Sequence, residues 1–440
     1  MTASRITRVP FALGAYFTGS ATNGDAWRAP EDDTDADLTF ERYRDYVLTL
    51  EKGRFDAIFL YDNVLPVPDP SRIARTPALA RWDTFTLLAA LAVTSSHIGL
   101  IGTASTTFNE PYNIARRVAS LDVLSGGRAG WNVVTATGGG ENFNLVSHVD
   151  HALRYERAHE FVDVVKGLWN SIEPEAFTRN KNSGVWLDPS RVHPLNHKGR
   201  FFQVAGPLNS PPPIQHPPIL AQAGASGAGK ELAARIGEII YTAEYDINAA
   251  RTYRSDVLER AARYGRDDRH IRILPGLAPI VGRTDSEARE KFERYQSYLD
   301  KADVLRAISL YSSLGTDLSQ WPEDRPIELS SVEETNSHKS RQSLIVDWIR
   351  KTRPTVKDIL HNFTRGGHRL LIGTPASIVD EIEEWYHTGA CDGFNIMFTS
   401  APGGINDFVE LVIPELQRRG LTRKFYESRI LRKNLRIPPT

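Results

Sequence analysis

Residues 97–135, HIGLIGTASTTFNEPYNIARRVASLDVLSGGRAGWNVVT, read as strand, helix and strand with almost no spare residues between them. The run 98–107 is continuously apolar and β-branched, as a strand buried on both faces requires. Ile114, Val118 and Leu121 then recur at helical spacing until Ser125-Gly126-Gly127 stops the helix, and a second strand begins at Arg128. This is a parallel βαβ unit. Such units concentrate function at the C-terminal ends of their strands, where this one carries Thr103, Ser105, Asn132 and Thr135.

Working outward, further strand-like runs fall at 11–17, 55–62, 218–224, 238–243, 271–281 and 393–399, so that eight are predicted in all. Helical patterns lie between them, at 40–52, 85–95, 113–124, 155–169, 230–236, 249–264, 286–299 and 377–388. The alternation argues an α/β fold. Eight strands favour a closed (β/α)8 TIM barrel, although the pattern alone leaves an open doubly wound sheet in play. Two long insertions after barrel strands interrupt the rhythm, at about 171–217 and 302–368. Loops of that length are expected to serve as a lid and a substrate wall, with surface decoration or subunit contact as the other reading.

At 440 residues the chain suits one barrel domain with insertions, though length alone does not choose between one domain and two. A net charge of −1, with Lys and Arg dispersed among Asp and Glu, offers no basic field for nucleic acid. The single cysteine, Cys391, forbids an internal disulfide, suits a reducing compartment and reads as a small residue beside the last strand. The N-terminus has no sustained apolar segment with a cleavage site, and no apolar run approaches the roughly 18 residues of a spanning helix. A cytoplasmic protein with no membrane partner is expected.

Several residues are placed for chemistry. Asp62 ends the run IFLYD and so falls at the mouth of a barrel, unless it merely caps a helix. Asp150 suits an N-cap, which puts His151 and Tyr155 on one face of the first helical turn, where the helix favours anions. By itself, a lone His there reads as a capping or exposed residue. In PPILAQAGASGAGKELAAR, a buried strand meets a helix through the small residues Gly224, Ala225 and Ser226, whose backbone N–H groups can approach a phosphate. The stretch lacks the Walker pattern, and no dinucleotide fingerprint accompanies it. No metal site is expected: His148 with His151 and His193 with His197 are only pairs, Pro194 interrupts the second, and neither HExxH nor paired CxxC occurs. Gly138-Gly139-Gly140 reads as a flexible connection near the site, and Trp27, Phe108, Trp131 and Phe143 as core with one or two walling the pocket.

The strings FDAIFLYDN (55–63), FTLLAALAV (85–93), TASTTFNEPYNIARRVASLD, GGRAGWNVVT, HALRYERAHEF (151–161), HKGRFFQVAGPLN (197–209), PPILAQAGASGAG (217–229) and GFNIMF…VIPELQRRG occur here in one order. In order and spacing they resemble the bacterial luciferase-like flavin-dependent monooxygenases, in the branch of nitrilotriacetate monooxygenase and dibenzothiophene-sulfone monooxygenase. The resemblance covers nearly the whole chain and implies the closed barrel. It also implies reduced FMN supplied by a separate NAD(P)H:flavin reductase, and dioxygen as co-substrate. A flavin peroxide or hydroperoxide would deliver one oxygen atom to a small organic substrate, with C–N or C–S cleavage or carbon oxidation.

The same resemblance puts Asp62, Thr103 and Asn132 near the flavin, Tyr155 and Ser226 at its phosphate with Gly224 and Ala225, and His151 as catalytic residue at the reacting ring. Relatives often have Ser-Ser-Glu where this chain has Ala225-Ser226-Gly227, so neighbouring polar contacts differ. A homodimer or homotetramer is implied as well. Two rival readings are a deazaflavin-dependent dehydrogenase on the same barrel and a catalytically silent flavin-binding protein.

Overall fold

A computed structural model describes residues 10–18, 26–65, 79–145, 149–329, 332, 335, 339–363 and 367–439; His148 and the first nine residues lie outside them. Eight parallel strands form the barrel: β1 (Ala12–Phe17), β2 (Ala57–Leu60), β3 (Gly99–Ser105), β4 (Ala129–Val134), β5 (Ile219–Gln222), β6 (Ile239–Thr242), β7 (Arg272–Val281) and β8 (Gly393–Met397). Each pairs with the next, and β8 pairs back onto β1. The sheet is therefore a closed barrel and not an open one.

The wall helices are α1 (Phe40–Lys52), α2 (Thr84–Thr94), α3 (Pro111–Ser125), α4 (His151–Trp169), α5 (Gly227–Ile236), α6 (Ile247–Ala262), α7 (Asp285–Tyr298) and α8 (Pro375–His387). In the deciding stretch, Pro111 starts α3 with its φ already helical, and Gly126 ends it in the left-handed region at φ 72°. Outward residues such as Leu13, Ile58, Leu100 and Trp131 pack against the helices in one large apolar cluster. Inward residues form a second cluster, Ala57, Phe59, Ile101, Ile219 and Leu274, which Leu431, Leu435 and Ile437 of the C-terminal tail complete.

That tail closes the floor. A Cβ on Gly99, at the start of β3, would come within 2.6 Å of Leu431 Cδ1, so only glycine admits the plug. Arg432, next along, pairs with the buried Glu238 at 2.5 and 3.0 Å just ahead of β6. With the N-terminal end of the barrel filled, the open space lies at its C-terminal mouth.

The insertions separate in role. Segment 171–217 follows α4, so it starts at the floor end, and it stays on the outside of α4. Glu160 accepts from the Phe201 and Phe202 N–H groups, and Gln215 donates to the buried Asp122 at 2.6 Å. None of its residues lines the mouth cavity described below, so the expectation of a lid or wall fails for this segment. Segment 302–368 does reach the mouth. It contains helices Lys301–Tyr311, Lys339–Thr352 and Val356–Asn362 around a small core of its own, including Leu305, Leu318, Ile345 and Trp348.

A ninth strand, Arg369–Gly373, was absent from the sequence reading. It pairs in parallel with Leu277–Val281, the outer half of the ten-residue β7, whose first half serves the barrel. Because β7 overshoots the barrel, the chain returning through α7 comes back to the mouth and not to the floor. That geometry delivers the second insertion over the opening.

Candidate active site

The mouth holds a cavity of about 1500 Å3, and Asp62, Thr103, Asn132, His151, Tyr155, Gly224, Ala225 and Ser226 all line it. Residues spread from Asp62 to Ser226 thus meet at one place.

Thr103 and Asn132 are paired in register on β3 and β4, inside the strands and not at their ends as the sequence reading had it. Their side chains point into the barrel. Thr103 donates to the Leu60 carbonyl at 2.7 Å and accepts from Asn132 Nδ2 at 3.0 Å. This chain of bonds leaves Asn132 Oδ1 buried with no hydrogen-bond partner. Asp62, two residues beyond β2, has its carboxyl raised above the usual range, chiefly by burial, with Asp83 adding to the effect.

Asp150 caps α4 by accepting from the Ala152 and Leu153 N–H groups, so His151 is the first helical residue. Its ring stands 4.8 Å from that of Tyr155, one turn on. The buried Arg154 between them anchors this helix end to the end of β4, donating to Thr135 O at 2.8 Å and to Ala136 O. The α4 N-terminus therefore stands fixed against the cavity.

Across from it lies the turn from β5 to α5. A Cβ on Gly224 would come within 2.6 Å of both Gln222 Nε2 and Gly229 Cα, so the two glycines close the turn by direct backbone contact. Gly224 N donates to Gln222 Oε1 at 2.6 Å, and the Tyr253 hydroxyl donates to Gly224 O at 2.8 Å. Ser226 is the N-cap of α5, its Oγ accepting from Gly229 N at 3.1 Å. Its own O–H proton can still reach outward, beside backbone N–H groups at the positive end of the helix. Small residues, a free hydroxyl proton and unpaired N–H groups at a helix start are the chemistry that suits an anion such as phosphate.

The sequence reading missed Tyr16, Tyr61, Tyr241, Asn395 and His368, which also line the cavity. Tyr241 Oη and Asn395 Oδ1 are buried without a hydrogen-bond partner, like Asn132 Oδ1. An amide inside the apolar run GFNIMF was a legible signal for Asn395, since a buried polar side chain needs a partner. Burial holds the Tyr16 hydroxyl up to about 12, so it stays a neutral donor. Glu244 is likewise raised, mainly by burial, and accepts from the Thr242 hydroxyl at 3.0 Å.

Of the four aromatic residues singled out, Trp131 is core, its Nε1 donating to Ala104 O, while Phe108 and Phe143 stack 4.4 Å apart at the cavity edge. Trp27 is not among the lining residues, and Cys391 is buried. His193 pairs with Glu173 within the first insertion, and His197 separately with Glu160 on α4. Among the described residues no group of three or more His, Cys, Asp or Glu side chains is placed to hold a metal ion. None of their helices is long and apolar enough to cross a membrane.

The Gly/Ser turn with the chemistry to take an anion, and the polar side chains of Thr103, Asn132, Tyr155 and His151 around a cavity of this size, leave room for a phosphate-bearing polar heterocycle and a second molecule. A family model described as luciferase-like monooxygenase matches residues 22–392. The N-acetyl-S-(2-succino)cysteine monooxygenase of Bacillus subtilis (strain 168) is 42% identical over 426 residues, covering 96% of this chain and 95% of the relative. Nitrilotriacetate monooxygenase component A of Aminobacter aminovorans is 40% identical over 435 residues, with 96% and 95% covered. The crystal structure of a riboflavin lyase with modified FMN and riboflavin superimposes with a TM-score of 0.83 at 28% identity, over 97% of this chain and 96% of that one. The chain belongs to the luciferase-like monooxygenases.

Proposed function

We propose that this chain is the oxygenase of a two-component system: it takes reduced FMN from a separate NAD(P)H:flavin reductase and oxidises a small organic substrate with dioxygen. The observation that carries this is the meeting, in one cavity, of the Ser226-capped glycine cradle with the His151 end of α4. The riboflavin lyase holds modified FMN on a closely similar fold, and the nitrilotriacetate enzyme is designated component A, which supports a flavin and a second component here.

The flavin, when bound, supplies two electrons to dioxygen, so that one oxygen atom can enter the substrate and the other leave as water. The protein does the rest. Gly224, Ala225 and Ser226 hold the phosphate with Tyr155, because N–H and O–H donors at a helix start suit an anion. Asn132 and Thr103, locked to each other and to the Leu60 carbonyl, present a fixed polar edge to the ring, with Asp62 beside it. His151 supplies a proton or hydrogen bond where negative charge develops on oxygen. The second insertion covers the mouth and excludes water. The natural substrate has a C–N or C–S bond, or a carbon, within reach of that site, and the enzyme works in the cytoplasm as a homodimer or homotetramer of single-domain chains.

The test is oxygen uptake by the purified chain with FMN, NADH and a flavin reductase, scored against hydrogen peroxide release in a substrate panel. Coupled oxygen consumption that requires both FMN and substrate is expected. Turnover with a reduced deazaflavin in the absence of oxygen, or rapid NADH oxidation without a reductase, overturns the assignment.

A further inference from the structure

In a closed barrel whose eight strands pair in order, β1 and β2 stand opposite β5 and β6. The wall that faces the Gly224–Ser226 turn therefore carries Tyr16 on β1 and, after β2, Tyr61 and Arg81, all of which line the cavity. The three cluster: the Tyr16 and Tyr61 rings lie 6.2 Å apart, and the Arg81 guanidinium sits 5.6 Å over the Tyr61 ring. Arg81 is exposed and both tyrosines are half-buried, so a molecule in the cavity can touch them. Among the described residues, none of the three side chains spends a polar atom on a hydrogen bond or an ion pair. The backbone that carries Arg81 is held in place, because Trp82 Nε1 donates to Asp37 O at 2.8 Å and Asp83 caps α2 by accepting from Thr86 N at 2.8 Å. The Asp83 carboxylate is thereby engaged, and the carboxyl of Asp62 is raised chiefly by burial. Arg341, the second guanidinium acting on Tyr16, is engaged too: its Nη2 donates to His368 Nε2 at 2.9 Å, which leaves the ring proton on Nδ1. Burial raises both phenols against the pull of Arg81, so they remain O–H donors.

We propose that Arg81, with the hydroxyls of Tyr16 and Tyr61, is the specificity-determining pole of the cavity that binds an oxyanion of the substrate, a carboxylate or a sulfonate. The inference rests on the monooxygenase reading and adds the chemical class of the substrate. A planar guanidinium offers two parallel N–H donors to two oxygens of such a group, and phenol hydroxyls can take its remaining lone pairs. The proposed phosphate cradle lies across the mouth, so this second pole is left to the other molecule that the cavity admits. Tyr311, at the end of the helix Lys301–Tyr311 in the second insertion, also lines the cavity and stands near enough to act on both phenols. The pole therefore lies where the barrel and the second insertion meet, and a substrate held there by its anionic end extends toward the flavin site.

The experiment is calorimetric titration of the full chain, saturated with FMN so that the phosphate cradle is filled, with iminodiacetate, thiodiglycolate and methylthioethanesulfonate, each beside its neutral amide. The wild type should bind at least one acid roughly tenfold or more tightly than its amide, and the acid that binds best tells carboxylate from sulfonate. Arg81→Met should weaken that acid roughly tenfold, the low end for a hydrogen bond to a charged group because Arg81 is exposed, and leave the amide and FMN affinities at their wild-type values. Arg81→Lys, which keeps the charge without the fork, should recover part of the loss. Added salt should weaken acid binding by the wild type and scarcely by Arg81→Met. The double variant Tyr16→Phe, Tyr61→Phe should show a smaller loss, also confined to the acid. Equal binding of acids and amides by the wild type, an acid preference that survives in Arg81→Met, or a fall in FMN affinity that matches the fall for the acid overturns the proposal. A chain that prefers acids through Arg81 yet shows no oxygen uptake with reduced FMN fails the functional reading while leaving this assignment standing.

Discussion

Ser226 carries two separable duties, and a pair of substitutions divides them. As N-cap of α5 its Oγ accepts from Gly229 N at 3.1 Å. Losing such a cap costs about 0.5–2 kcal/mol of stability. As a donor to the FMN phosphate its O–H would contribute about 1.5–3 kcal/mol, or roughly 10- to 150-fold in affinity. Ser226→Ala removes both, so the thermal midpoint should fall and the FMN dissociation constant should rise within that range. Ser226→Asp keeps a good capping acceptor and should melt near the wild type. It also sets a negative charge against the phosphate: at ~4 Å and an effective dielectric of ~20 the repulsion is about 4 kcal/mol, or roughly a thousandfold in affinity. Fluorescence-quenching titration with FMN and differential scanning calorimetry on both variants are the assays. An aspartate variant that binds FMN as the wild type does would refute the phosphate assignment, however stable it is.

Three further outcomes are expected. His151→Ala should lower product formed per reduced FMN consumed by about 10²–10⁴, with hydrogen peroxide rising to match, as for a positioned acid or base; wild-type coupling would reduce His151 to a capping-turn residue. Arg432→Met strands Glu238 as a buried, uncompensated carboxylate under the barrel floor and should cost about 3–5 kcal/mol, read from the denaturant midpoint, whereas a loss under ~1 kcal/mol would show the pair to be dispensable. Asp32, its two carboxylate oxygens buried without partners, is pushed up to about 8, mainly by burial and then by Glu31. A folded pKa above the unfolded one means that this group's stabilisation is complete at low pH and is lost as pH rises from about 4 to about 8. Asp32→Asn should therefore gain in melting temperature relative to wild type across that window, and a pH-independent difference would contradict the shift.

Much of the barrel was legible because its signals are local. Every strand of the closed sheet overlaps a predicted apolar run, and α3 begins at Pro111 and ends at Gly126 where the turn chemistry requires it. The strand Arg369–Gly373 escaped because its apolar run, Leu370-Leu371-Ile372, is only three residues long after a polar insertion and too short to show a period; pairing with the overshooting half of β7 is what makes it a strand. The first insertion was misread for a related reason. Its composition says that it is irregular, while its position after α4 places it at the floor end and outside the barrel wall.

The sequence by itself determined the alternation of strands and helices, the glycine turn at Gly224 and the Asp150 cap, since these depend on neighbours within a few residues, whereas the Ser226 cap came only with the structure. Residue types and a family resemblance also singled out the eight lining residues in advance. Only the tertiary structure decided that Thr103 and Asn132 face inward as hydrogen-bonded neighbours, that Tyr241 and Asn395 line the same space with one polar atom each buried and partnerless, and that Arg341 fixes the His368 proton on Nδ1. Those properties arise from barrel closure and from the overshoot of β7, which bring together side chains far apart in the chain and withdraw them from water. Burial without a partner is a property of the surroundings, and no single segment encodes it.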